Sequence, residues 1–143
     1  MSSSVVVVVA VTIAAFGVAY LVGRLLTLRS GMLRDATKAA DLSAEAASDL
    51  GLSTTGPTVL HFTAEWCGPC AAVRRVVDQV CDELPGVAHV EIDMDANPAA
   101  ARRLSVLSLP TTIIFAADGR PQFRMTGVPK AADLRAALEP LVA

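Results

Sequence analysis

The stretch from Val5 to Val22 carries no charged side chain, and it limits what this chain can become more than any other feature. As a helix its roughly 18 residues rise ~27 Å, close to the ~30 Å hydrocarbon core of a bilayer. Gly23 and a snorkelling Arg24, followed by Leu25 and Leu26, extend the span. The many valines are poor helix formers in water. In hydrocarbon this matters less, because an unpaired backbone group there costs far more than a propensity difference. A buried core helix would show an amphipathic stripe, whereas this run is apolar all round. A cleavable signal peptide is the competing reading, since Gly17-Val18-Ala19 offers small residues to a peptidase. Against it, residues 1–4 (MSSS) hold no Lys or Arg and apolar character continues past that point. The expectation is an uncleaved transmembrane anchor over residues 1–26.

Arg24, Arg29, Arg34 and Lys38 follow the span, and no basic side chain precedes it. The positive-inside rule therefore predicts that the C-terminal part lies in the cytoplasm. Cysteine usage points the same way: three cysteines, two of them in one C-x-x-C, do not describe a secreted disulfide framework. The chain is 53% apolar with a formal net charge of −2, and most of the apolar excess lies in the span. No basic stripe with interleaved aromatics suggests nucleic acid as a partner.

Residues 27–56 read as a juxtamembrane linker rich in Ala, Ser, Asp and Thr. Helix formers run from about residue 34 to 50, with Leu42, Ala46 and Leu50 at four-residue spacing, and about 41–50 could form the first helix of the domain that follows. Gly51 and the loop Ser53-Thr54-Thr55-Gly56-Pro57 stop that helix. Residues 57–143 then alternate strand and helix. Thr58–Thr63 reads as a buried strand, Cys67–Leu84 as a helix with Val73, Val76, Val77, Val80 and Leu84 on one face, and Val87–Asp93 as a second strand. Asn97-Pro98 opens a short helix to Leu104. Thr111–Phe115 and Gln122–Met125 flank Asp118-Gly119, a hairpin signal, and a last helix covers about Lys130–Leu138. The order β-α-β-α-β-β-α predicts an α/β fold, parallel at first and antiparallel at the end.

The chemistry is concentrated in Trp66-Cys67-Gly68-Pro69-Cys70, where a strand gives way to a helix. Unpaired N–H groups at a helix start favour negative charge, so the Cys67 thiol is expected to ionise readily and act as nucleophile. Cys70, one turn on, is expected to be shielded and to resolve the mixed disulfide. Pro69 stiffens the turn and Gly68 leaves room for a substrate chain. A zinc site would need more ligands than one C-x-x-C, and only coincidence would bring Cys81, His61 and His89 to complete it, so no metal is expected.

Phe62 to Cys70, reading FTAEWCGPC, resembles the active-site segment of thioredoxins. Ile92-Asp93 before Asn97-Pro98 resembles that family's strand-to-helix junction. Leu109-Pro110-Thr111 is similar to its cis-proline loop, and Gly119 and Gly127 fall at two of its glycine positions. The likeness runs from about Asp41 to the C-terminus. It implies a thioredoxin-like fold, with a mixed sheet of four or five strands flanked by helices and preceded by the transmembrane helix. It implies a protein-disulfide reductase that needs no cofactor of its own, takes protein disulfides as substrates and is itself reduced by a flavin-dependent thioredoxin reductase. A thiol in the family's motif has a pKa of ~7 against ~8.5 for free cysteine. The likeness further implies that Trp66 packs beside the dithiol and that Pro110 is cis. It implies that the backbone of Leu109 pairs with an extended substrate, and that Gly127 and Val128 line the same groove.

The sequence also departs from the family. Where thioredoxins carry a buried aspartate beneath the second cysteine, this chain has His61, and His89 is read at the position of the partner lysine. His61 is either a core residue or a relay for the Cys70 proton, since imidazole titrates near neutrality. Arg75 replaces the helix proline, so a straighter helix is expected. No first strand is evident before the linker helix. Cys81, among valines, is read as a buried and inert thiol. Two other functions stay open from sequence: an extracytoplasmic thiol-disulfide exchange factor, and a thioredoxin-like docking module without catalysis.

Overall fold

The structure, a computed structural model, describes residues 2–29, 33–36 and 42–143. The chain divides into two compact units, Met1–Ser30 and Gly31–Ala143. Lys38 and Asp41, used above for orientation and for the start of the family likeness, lie outside the described residues, as does Met1.

The first unit is one helix, α1 (Ser2–Arg29). Its segment Val5–Leu26 has 22 residues and a mean hydropathy of 2.8, which suits a membrane span and equally a signal sequence. Every described side chain along it is exposed within the unit. Thr12 turns its hydroxyl back to the carbonyl of Val8, 2.8 Å away, so this polar group is satisfied inside the helix.

The second unit is a mixed five-stranded sheet with helices on both faces. Its elements are β1 (Arg34–Asp35), α2 (Ala44–Asp49), β2 (Thr58–Thr63), α3 (Cys70–Glu83), β3 (Ala88–Asp93), α4 (Pro98–Arg103), β4 (Thr111–Phe115), β5 (Pro121–Thr126) and α5 (Ala131–Val142). The strand order is β1-β5-β4-β2-β3, with β2 and β3 parallel and every other pair antiparallel. Alternation along the strands sorts the core into two layers. Leu60 and Phe62 of β2 join Ile113 and Phe115 of β4 beneath Leu50, Ala101 and Val106. Val59 and Ile114 turn the other way, onto Val73, Val77 and Val80 of α3 and Leu134 and Leu138 of α5.

Three expectations change. A first strand, not evident from sequence, is present and brings the sheet to five of the expected four or five, because Arg34 and Asp35 pair with Arg124 and Phe123 and the N–H of Ala36 extends the contact to the carbonyl of Gln122 at 2.9 Å. Two charged residues held by backbone bonds leave no hydrophobic pattern to read. The helix expected from about residue 34 is seen as Ala44–Asp49, capped by the Ser43 hydroxyl, which accepts from the N–H of Ala46. The dithiol helix starts at Cys70 rather than Cys67, because the N–H of Cys70 is spent on the carbonyl of Cys67 in a turn through Gly68-Pro69. With Arg75 in place of a proline, α3 runs from Cys70 to Glu83 without a break.

Candidate active site

The site begins where β2 ends. Thr63 closes the strand, the N–H of Cys67 donates to the carbonyl of Ala64 at 3.0 Å, and the turn then delivers Cys70 as the first residue of α3. Cys67 and Cys70 are joined as a disulfide with Cα atoms 5.5 Å apart. Cys67 is 8% exposed and Cys70 2%, so both residues are sheltered and the second more deeply. Cys70 Sγ lies 3.8 Å from the carbonyl oxygen of Phe62. Cys67 precedes the helix by three residues, so it meets the N-terminal field of α3 from just beyond the first turn.

Around the disulfide, Ala64 and Leu109 complete a small apolar cluster. The Leu109–Pro110 peptide bond is cis. The N–H of Gly127 donates to the carbonyl of Pro110 at 2.9 Å, and the hydroxyl of Thr111 donates to that of Ser108 at 2.7 Å. The loop is also held at its start, where the guanidinium of Arg124 donates to the carbonyls of Leu104 and Ser105, each at 2.7 Å. Gly127 has φ +83°, a conformation side-chain-bearing residues rarely adopt. Val128, beside it, is exposed. Gly68 faces open space, and Gly68 and Pro69 are both exposed. Trp66 is 67% exposed rather than packed down, and its indole N–H donates to Asp95 Oδ2 at 2.8 Å.

A polar cluster lies between α3 and the neighbouring strands β2 and β3. His61 lies in the middle of β2, fully buried, on the face that Val59 turns toward α3. In the parallel register its direct neighbour on β3 is Glu91, while His89 sits opposite Val59. His89 reaches His61 diagonally instead: His61 Nδ1 is 2.9 Å from His89 Nε2. The ring centroids are 5.0 Å apart, so the imidazoles meet edge to edge through their nitrogens rather than face to face. His89 Nδ1 is in turn 2.7 Å from Asp78 Oδ1 on α3. His61 Nε2 lies 3.5 Å from Glu91 Oε2, and Glu91 is held by both nitrogens of the Arg74 fork.

Burial pushes the His61 imidazole down to about 4, against the weaker pull of Glu91 in the other direction, so the ring is neutral at physiological pH and does not titrate near neutrality as expected from sequence. The Arg74 hydrogen bond holds the Glu91 carboxyl below its usual range. Cys81, expected to be buried, is only half-buried because it sits at the margin of the α3 core, and that partial burial still raises its thiol to about 11. Sequence reading had no signal for Asp78, which looks like any polar residue on the outer face of a helix.

His61, His89 and Glu91 each bring a ligand atom within 4.8 Å of the others, a spacing that a metal ion could span. The donor set does not suit one. The facing imidazole nitrogens point at each other, the second nitrogen of His89 is committed to Asp78, and Glu91 already carries a bidentate cation.

A thioredoxin family profile matches residues 42–140. The chain is 44% identical over 89 residues to a thioredoxin of Mycolicibacterium smegmatis, covering 59% of this chain and 78% of that protein. It is 41% identical over 86 residues to a bifunctional thioredoxin reductase/thioredoxin of Mycobacterium leprae, covering 59% of this chain and 19% of that one. The fold matches the crystal structure of chloroplastic thioredoxin z with a TM-score of 0.59 at 31% identity, over 70% of this chain and 90% of the other.

Proposed function

The chain belongs to the thioredoxin family and is a thiol-disulfide oxidoreductase of the protein-disulfide reductase type, and on that premise we propose that it works from a membrane tether, with Cys67 as the attacking thiol and Cys70 as the resolving one. The observation that carries this reading is the unequal burial of the two bonded cysteines, 8% against 2% exposed, beside the cis Leu109–Pro110 loop. The reduced dithiol attacks a substrate disulfide through the Cys67 thiolate, and one substrate sulfur leaves as a thiolate, which takes its proton from solvent. Cys70 then attacks Cys67 in the mixed disulfide. The Cys67–Cys70 bond forms, the bond to substrate breaks, and two electrons have passed to the substrate. Among the described residues, no hydrogen bond engages the backbone N–H or C=O of Leu109, which leaves them to pair with an extended substrate segment. Trp66, Gly68, Pro69, Pro110, Gly127 and Val128 border the same opening and would touch that segment.

His61, neutral and buried, takes the proton of Cys70 as that thiol attacks. A flavin-dependent thioredoxin reductase returns the dithiol to its reduced state. The M. leprae relative, whose name joins reductase and thioredoxin in one polypeptide, supports such a pairing. Residues 1–26 act as the anchor, residues 27–56 join it to the catalytic domain, and residues 57–143 carry the dithiol on the cytoplasmic side. The apolar helix and its C-terminal arginines support this arrangement.

Insulin reduction by the full-length chain in detergent tests the chemistry. C67S should abolish turnover, whereas C70S should accumulate mixed disulfides with substrate. Accumulation in C67S instead would reverse the assigned roles. Protease protection in intact cells and inverted vesicles tests the topology. Digestion of the domain in intact cells would replace the cytoplasmic reductase with an exported exchange factor.

A further inference from the structure

The proton taken by His61 must end somewhere, and His61 itself is a poor place for it. A fully buried imidazolium would be desolvated, and the cation of Arg74 lies among its neighbours. The hydrogen bonds running outward from His61 define an alternative. Asp78 is an acceptor only, so its carboxylate fixes the proton of His89 on Nδ1. Neutral His89 then presents a lone pair at Nε2, and that atom can only accept, so the proton between the rings belongs to His61 Nδ1. It follows that the basic lone pair of His61 is at Nε2. That atom and Thr112 Oγ1 are the buried side-chain polar atoms with no hydrogen-bond partner among the described residues, and Thr112 is the direct β4 neighbour of His61.

We propose that Asp78, His89 and His61 form a proton conduit in which a proton accepted at His61 Nε2 appears as positive charge on His89, beside Asp78 at the protein surface. This inference rests on the reading of His61 as the proton acceptor for Cys70. The step balances as follows. Cys70 loses its proton to His61 Nε2, directly or across one water, as its sulfur attacks Cys67. The Nδ1 proton of His61 moves to His89 Nε2 along the 2.9 Å bond. His61 is again neutral, now in the other tautomer, with Nε2–H facing the Glu91 carboxylate. His89 is an imidazolium held by Asp78 at 2.7 Å, from which the proton leaves to solvent. The side-chain exposures rise along the path: 0% at His61, 17% at His89 and 55% at Asp78. The charged groups facing the pair are Arg74 and Asp78 from α3 and Glu91 from β3, and from β4 the neutral Thr112. His89 and Asp78 are positioning residues in this scheme, since neither touches the sulfurs.

Stopped-flow reaction of the reduced full-length chain with 5,5′-dithiobis(2-nitrobenzoate) in detergent separates the two thiols. The first release of coloured thiolate reports Cys67 attack, and the second reports resolution by Cys70. H89Q keeps an acceptor for His61 Nδ1 yet cannot pass a proton on, and should slow the second phase ~100-fold at pH 7. D78N, at an exposed position that does not threaten folding, should slow it about threefold and, by removing the anion that favours the protonated imidazole, displace its pH–rate profile to lower pH. The first phase should change less than about twofold in both variants. The solvent-isotope dependence of the second phase should be curved in the wild type, as for several protons in flight, and linear in H89Q. If H89Q resolves at the wild-type rate while H61Q is slow, the conduit fails and His61 stands alone as acceptor. If H61Q also resolves normally, both readings fail together. Equal slowing of the two phases in H89Q, or an unmoved profile in D78N, would likewise overturn the conduit.

Discussion

The indole N–H of Trp66 donates to the carboxylate of Asp95 across 2.8 Å, fixing an otherwise exposed ring at the mouth of the dithiol site. The bond joins the turn after β2 to the segment after β3, so ring orientation depends on a residue 29 positions away.

Trp66 is the chain's one tryptophan, so its fluorescence reads this contact without labelling. D95A should lower the emission anisotropy and weaken the fluorescence change on reduction of the disulfide. Stability should shift by less than ~1 kcal/mol, because the pair is exposed to water. Time-resolved anisotropy of oxidised and reduced protein checks both statements.

Gly127 supplies the N–H that holds Pro110, and it does so at φ +83°. G127A places a Cβ in a left-handed conformation and should destabilise the domain by about 1–2 kcal/mol. Urea unfolding of the full-length chain, followed through Trp66, measures that loss. Insulin reduction should also slow, as the neighbouring Leu109 backbone loses its fixed position.

Stability should depend on pH through His61. Its folded-state value of about 4 lies below the ordinary imidazole value of 6.5, so between those limits the unfolded chain binds more protons. The contribution is complete above about pH 6.5 and is lost as pH falls toward 4, amounting to about 3 kcal/mol. The carboxylates held low by Arg partners, such as Glu91, lose their contribution only at more acidic pH, as they protonate below their usual range. Urea midpoints measured from pH 7 to pH 4 should fall in the wild type and flatten in H61L.

Cys81 should be a slow thiol. Burial lifts it to about 11, leaving a minute thiolate fraction at pH 7.4. Brief iodoacetamide treatment of the reduced chain should label Cys67 first and leave Cys81 largely unmodified, as read by mass spectrometry. C81A should retain full insulin reduction.

Much of the architecture was legible because its signals are local. Thr58–Thr63 announces a buried strand through β-branched and apolar residues behind Pro57, and the structure has those bounds. The valine stripe marks α3, and Asp118-Gly119 marks the turn before β5. What escaped depends on partners distant in the chain. Arg34 and Asp35 become a strand only because β5 leaves an edge for them. The first turn of the dithiol helix gives way to the bond between Cys70 N–H and Cys67 C=O. α5 continues past Leu138 to Val142 despite Pro140, since a proline in a last turn removes few bonds. The cysteines could be read from their motif and His61 from its departure from it. The path from His61 to Asp78 could not, since it follows from the β2–β3 register and the angular position of one residue on α3.

The loop bearing Leu109 is fastened at both ends, by Arg124 to the carbonyls of Leu104 and Ser105 and by Gly127 to that of Pro110. A template this stiff forfeits little disorder when something lies against it, so nearly all of the ordering falls on the visiting polypeptide. Clients whose cystines sit in frayed or unravelled stretches then have an advantage over those sewn into tight cores. The same enzyme would favour damaged or half-folded molecules over intact ones, with no recognition sequence required.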